Sequence, residues 1–418
     1  MSARAEGSRR GSARSGRSSG RIDALSTAVG TIFRAARETQ RLSQEQVAAL
    51  TTDTPWQVSR TTISAIECGR CLPGLETLVS LARVLHIDPA EVLEQVDIAH
   101  PPEVGVDVSD MSPRDLLRRA EERFWAADFR GALALLEAMS DRLLLDPTVE
   151  DRERRRLLAR MQINRSCCLR QCGALRAARS AAERAMEHAE GVPELQAEGS
   201  MLLASLYSQE GLGEMARAAA DLAVRLAGSG GPKLRGQVWS QRGNVLFRAG
   251  DAEQARRAFI QARKFALEAD DRHNVASLEG NIGACLMDLG RTSQARARFL
   301  RAVELARECD DPALEASWVV ELGELALLDG EFAEADRLAE AALRIVGGSG
   351  LVLTIFRAEW LRFAVARGRA PGREDARRLG RLKKLFPRVR RYRRENAVRK
   401  FAALISAAHD EPDGGTDE

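Results

Sequence analysis

The sequence predicts an all-α protein in two parts: a short N-terminal bundle of capped helices, then a long run of repeated helical hairpins. Three observations predict it. Helix-start signals precede apolar residues spaced for one helical face, as at Ser43 with Gln46 and at Ser59 before Ile63 and Ile66. Small residues repeat at an interval of 40: Gly243, Gly283 and Gly323; Gly250, Gly290 and Gly330; Ala255, Ala295 and Ala335; Ala262, Ala302 and Ala342. The composition is 44% hydrophobic and 29% charged with 13 prolines in 418 residues, a balance that suits packed helices and not a fibrous or disordered chain.

In the first part, Ser43 and Gln46 have the spacing of a capping box, and a polar, Pro-containing interval separates that helix from a second one capped by Ser59. Two short helices in this relation suggest a helix-turn-helix, whose second helix can enter the major groove of DNA. That helix opens Ser59-Arg60-Thr61-Thr62, with long or hydroxyl side chains at its N-terminal end and apolar ones on the inner face. Arginine can bond guanine O6 and N7 together, and threonine can meet a polar base edge or a thymine methyl. The alternative for these residues is a capped surface helix with no ligand.

From Val29 to Glu94 the chain resembles the phage-repressor-like (XRE-type) DNA-binding domains, a five-helix fold. The resemblance rests on L-S-Q-E-Q-V-A at 42–48, S-R-T-T-I-S-A-I-E-C-G at 59–69 and P-G-L-E-T-L-V-S-L-A-R-V-L at 73–85. It implies that Gln44 touches a phosphate or base edge, that Arg60, Thr61 and Thr62 face the bases, and that Glu67 pairs with Arg37 on the first helix. The family's short turn is replaced here by the longer segment Thr51–Gln57, which bears on the spacing of the two helices.

The flanks divide as follows. Residues 1–24 are expected to be a disordered basic arm, since the first 21 hold six arginines, one glutamate and mostly Ser, Gly and Ala. The DNA-binding domain occupies 25–97. Asp88, Pro89 and Glu91 read as the start of its fifth helix. Residues 98–112 break all periodicity and read as a linker. Ser112 and Pro113 open the first hairpin.

From 113 to 386 the helices pair into seven hairpins, with turns near Ala127, Gly173, Gly211, Gly250, Gly290 and Gly330 before a last copy from about Val352 to Phe386. Glycine at such a turn can take the left-handed backbone that ends a helix, and small residues let the paired helices approach closely. The stretch N-I-G-A-C-L-M-D-L-G-R-T-S-Q-A at 281–295 resembles tetratricopeptide repeats. One hairpin cannot bury its apolar stripe by itself, so the resemblance implies a right-handed helical-repeat solenoid. In that family the first helices line a groove that holds a peptide or protein segment. The matching positions are Gln241, Asn244 and Arg248 in the fourth unit and Asn281 and Asp288 in the fifth, and amides there can both donate to and accept from a main chain.

Residues 387–418 are expected to form a basic C-terminal helix and an acidic tail. Seven cysteines without a secretion signal argue against a disulfide framework, and the Cys68/Cys71 pair has redox or metal-ligand spacing without a second pair. No metal and no cofactor are expected, no apolar run is long enough to span a bilayer, and a cytoplasmic location follows. No nucleotide-binding Gly-rich loop or catalytic set is found, so no enzyme activity is expected. The order of domains points to a bacterial transcription regulator that binds double-stranded DNA as a homodimer and receives a peptide or protein signal in its repeats. The alternative is a tetratricopeptide adaptor that uses the helix-turn-helix domain for localisation or protein pairing.

Overall fold

The computed structural model describes residues 26–27, 29–87, 89, 92, 108, 110–145, 147–347, 350–369, 373–389 and 396–410. The expected basic arm, most of the 98–112 linker, the fifth helix apart from Pro89 and Val92, and the acidic tail after Asp410 lie outside them. The chain forms two compact units, Met1–His188 and Ala189–Glu418, so the division falls inside the repeats and not at the linker. Among the described residues the regular structure is helical, with no strand.

The first unit begins with α1 (29–39), α2 (Gln44–Leu50), α3 (Arg60–Glu67) and α4 (Leu75–Val84). The capping box at α2 is closed in both directions: Gln46 N donates to Ser43 Oγ (3.2 Å) and Ser43 N to Gln46 Oε1 (2.7 Å). Phe33, Val47, Ile63, Ile66, Leu81 and Val92 are buried together. Each such aliphatic or aromatic side chain contributes about 1.5–3 kcal/mol relative to exposure. Between α2 and α3 the longer segment starts with a 3-10 turn, Thr51–Asp53. It is pinned at both ends: the buried Thr51 hydroxyl donates to Ala48 O (2.7 Å) and accepts from Val58 N (2.9 Å), while Ser80 Oγ on α4 donates to Trp56 O (2.7 Å).

The hairpins α5 (Pro113–Trp125) with α6 (Phe129–Leu145) and α7 (Asp151–Cys172) with α8 (Leu175–His188) complete this unit. The second unit holds α9 (Pro193–Glu210) with α10 (Gly213–Leu226), α11 (Pro232–Arg248) with α12 (Ala252–Glu268), and α13 (Arg272–Asp288) with α14 (Thr292–Glu308). It continues with α15 (Pro312–Leu328) and α16 (Phe332–Val346), then α17 (Val352–Arg369), α18 (Arg373–Val389) and α19 (Asn396–Asp410). Among the described residues seven hairpins thus precede α19.

The turn residues take the left-handed backbone the spacing predicts, from Gly173 (φ 88°) to Gly330 (φ 77°). Ala127 (φ 60°) does so with a side chain, at a cost of roughly 1–2 kcal/mol. A second repeated turn joins successive hairpins at Asp270 (φ 50°) and Asp310 (φ 51°). The following Asp271 and Asp311 cap α13 and α15 through Asn274 N (3.0 Å) and Leu314 N (2.9 Å). Small residues admit large rings: an added Cβ at Gly280 would lie 2.3 Å from the Trp318 indole, which stacks on Phe299 at 6.1 Å. The buried carboxylate of Glu279 accepts from Arg263 (2.6 Å) and Arg298 (2.8 Å), tying α12, α13 and α14 together.

At the C-terminal end the basic run is distributed differently from the expected helix at 387. The second helix of the seventh hairpin continues to Val389 with Pro387 inside it, and the next helix starts at Asn396. The physical reason is amphipathicity: Leu382 and Val389 of α18 are buried with Phe401 of α19, so the run's apolar residues extend the core while Lys383, Lys384 and Arg388 are exposed.

Candidate nucleic-acid interface and ligand cavity

At the start of α3, Ser59 Oγ accepts from Thr62 N (3.1 Å) and lies 2.8 and 2.9 Å from the Thr61 and Thr62 hydroxyls. Ser59, Arg60 and Thr61 are exposed and Thr62 is half-buried, while Ile63, Ile66 and Glu67 face inward. The hydroxyl cluster therefore fixes this end of the helix and leaves Arg60 and Thr61 presented outward. Arg60 Nε contacts Glu45 Oε1 at 2.6 Å, and both side chains are mostly exposed.

Behind this surface, the Glu67 carboxylate joins three helices. It accepts from Arg37 Nε (2.7 Å) and Nη2 (2.9 Å) on α1 and from Gln44 Nε2 (2.8 Å) on α2. Arg34 Nη2 donates to the Glu67 carbonyl at 2.7 Å. Burial pushes the Glu67 carboxyl up, but the bonds from Arg37 and Gln44 outweigh it and hold the group below its ordinary range. The Gln44 amide that the family resemblance aims at DNA is thus half-buried and tied to Glu67, with its second N–H and its carbonyl left for another partner. Cys68 and Cys71 are exposed at the exit of α3, and among the described residues no group of three or more His, Cys, Asp or Glu gathers to hold a metal.

In the second unit a cavity of about 870 Å³ opens along the first helices of successive hairpins. Phe247 and Arg248 of α11, Met287 and Asp288 of α13, Glu321 and Glu324 of α15, Arg357 of α17 and Arg399 of α19 line it. Of the five expected groove residues, Arg248 and Asp288 are in this lining. Gln241, Asn244 and Asn281 are not; they are half-buried, with no hydrogen-bond partner among the described residues.

The cavity's charge is organised around Arg357, whose Nη2 lies 2.5 Å from Glu321 Oε1 and 3.0 Å from Glu324 Oε1. Burial works against the Arg357 charge, yet the two carboxylates keep it firmly protonated. Burial, reinforced by Glu321, pushes the Glu324 carboxyl up. Asp288 reaches solvent at the cavity, yet burial of the rest of its carboxyl, followed by repulsion from Glu321, pushes it up as well.

Glu321 and Glu324 were within reach of the repeat register. Adding the interval of 40 to Asn281 gives Glu321, and adding it to Ala284 gives Glu324. Arg357 lies in the irregular last hairpin, where no register leads to it.

Comparison with known proteins agrees with these two parts. A helix-turn-helix domain family matches residues 28–95, and a tetratricopeptide repeat family matches 234–308 and 274–347. Curated proteins give no match. Among solved structures, a STAND ATPase with a tetratricopeptide repeat sensor from Pyrococcus horikoshii shares 12% identity over 88% of this chain and 52% of its own, with a TM-score of 0.52. The apo form of RapI shares 12% identity over 71% of this chain and 91% of its own, with a TM-score of 0.50. PlcR of Bacillus thuringiensis, solved with the peptide PapR7 and DNA, shares 11% identity over 70% of this chain and 99% of its own, at a TM-score of 0.40. The first two have the same helical-repeat fold. Residues 28–95 therefore form a helix-turn-helix domain, and the second unit contains tetratricopeptide repeats over 234–347.

Proposed function

We propose that this chain is a sequence-specific, XRE-type transcription regulator whose repeats receive a peptide or protein signal. The observation that carries the reading is the start of α3, where Arg60 and Thr61 are exposed on a helix whose opposite face is buried and clamped through Glu67. A rigid helix end presenting a guanidinium and a hydroxyl is what base reading in the major groove requires. The reading includes a bacterial cytoplasmic setting and a homodimer, because such modules read two half-sites in pairs. It includes no catalytic step. Among the described residues no helix is long and apolar enough to cross a membrane.

In the second unit, the amides of Gln241, Asn244 and Asn281 would bond a ligand's main chain, and Arg248 and Asp288 would select its charge. The ligand acts on DNA occupancy by differing in affinity for two conformations of the chain. Genome-wide occupancy of the intact protein, compared with Arg60→Ala, tests the reading. Defined sites lost in the variant support it. An unchanged occupancy map points instead to the adaptor, with the helix-turn-helix domain used for protein pairing.

A further inference from the structure

A second cleft, of about 590 Å³, lies where α17, α18 and α19 meet, apart from the repeat cavity. Its walls are apolar: Phe363, Leu379, Phe386, Phe401, Leu404 and Ile405. A void of this volume falls in the range of small-molecule sites, roughly 300–1,000 Å³, and is large beside the gaps that packed interiors retain. At its edge stand Arg367 and Lys383, both exposed and both without an ion-pair partner among the described residues. Other arginines of the same two helices are committed: Arg362 contacts Asp336 (2.9 Å) and Glu340 (2.6 Å), and Arg381 contacts Glu359 (3.1 Å). Asp375 is the carboxylate in the lining, and it is already engaged within the fold. Among the described residues the lining therefore combines an apolar interior with two cations against one carboxylate.

We propose that this cleft binds a small amphipathic anion, a medium-chain carboxylate in chemical class. The apolar chain lies among the aromatic and aliphatic walls, and the carboxylate meets Arg367 and Lys383. A neutral chain of equal length would gain only the first of these interactions, and a cationic one would be repelled at the edge.

Calorimetric titration of the full-length protein with decanoate, decanol and decyltrimethylammonium tests the proposal. Decanoate is expected to saturate at one equivalent, decanol to bind about tenfold more weakly, and the cation not to bind. Arg367→Gln combined with Lys383→Gln, two exposed positions, is expected to weaken decanoate to the level of decanol without lowering the melting temperature. Leu404→Trp, which fills the cleft, is expected to abolish saturable binding of both. Equal affinity for all three decyl probes overturns the proposal, and so does decanoate binding that the Arg367/Lys383 double substitution leaves unchanged. If Leu404→Trp fails to fold, the charge variant and the probe series still decide the matter.

Discussion

Arg60 and Glu45 form an ion pair, Nε to Oε1 at 2.6 Å, so the arginine expected to read bases is held by a carboxylate in the first turn of the preceding helix. Both side chains are mostly solvent-exposed, and an ion pair of that kind is weak and screened by salt. In the proposed reading a DNA site would displace Glu45 and leave its negative charge beside the duplex. Glu45→Gln is expected to tighten binding to any duplex, while Arg60→Ala is expected to cost about 1–3 kcal/mol at the preferred site and little on random DNA. Anisotropy titrations on both duplexes measure this. Equal losses on the two for Arg60→Ala would remove Arg60 from base reading.

The Arg37–Glu67 pair is nearly dry, with the Glu67 side chain 2% exposed. Arg37→Met leaves a buried carboxylate without its main partner and is expected to destabilise the N-terminal bundle by about 3–5 kcal/mol, more than Arg37→Met with Glu67→Leu together. The carboxyl titrates below its ordinary value of 4.5 in the folded protein. Its contribution is therefore complete above that value and declines as pH falls through the folded one. Amide exchange of α1 and α3 against pH should show this loss in the parent, and its absence in Glu67→Gln.

Asp288 carries the opposite sign. Burial and Glu321 raise its carboxyl above the ordinary 3.8, so its charge opposes folding at neutral pH and that penalty fades as pH falls through the folded value toward 3.8. Asp288→Asn is expected to raise the melting temperature at neutral pH, with the gain shrinking on acidification. A gain independent of pH would mean that charge is not the cause.

Two helical glycines should respond in opposite directions. In an open helix, Gly→Ala gains up to about 1 kcal/mol. At Gly236 an added Cβ meets nothing nearer than 3.5 Å, so Gly236→Ala is expected to stabilise. At Gly280 it would lie 2.3 Å from Trp318, and overpacking of about 1–3 kcal/mol outweighs the gain. Urea unfolding of the two variants tests the contrast, and equal stabilisation would show that the Trp318 ring moves at little cost.

Local signals were legible in the sequence wherever one helix turn settles the outcome. The Ser43/Gln46 capping box, the Ser59 cap and the turns at Gly250, Gly290 and Gly330 all depend on neighbours in the chain, and all form as expected. The sites were less legible because partners there come from distant helices. Gln44 meets Glu67, 23 positions on, so an amide placed on DNA by resemblance is engaged inside the bundle as well. Arg357 reaches back to Glu321 across 36 positions, and nothing in its own hairpin marks it as the counter-charge of the cavity. The cleft beside α19 was hidden for a different reason: Leu379 and Phe386 are embedded in a run of cations whose charge dominates the reading.

The equal spacing of Gly250, Gly290 and Gly330 has a genetic consequence. Loss of residues 251–290 in frame would join Gly250 to Arg291, the same junction that Gly290 makes now, and a duplication would insert a unit with the same ends. Recombination between these stretches thus changes the number of units without creating a new turn. The shortened chain would lose Asp288 and set Arg248 in its place, one unit from Glu321, so a single crossover would turn a carboxylate on the cavity wall into a guanidinium. Ligand preference in such a lineage could change by inheritance of whole units, faster than by point substitution.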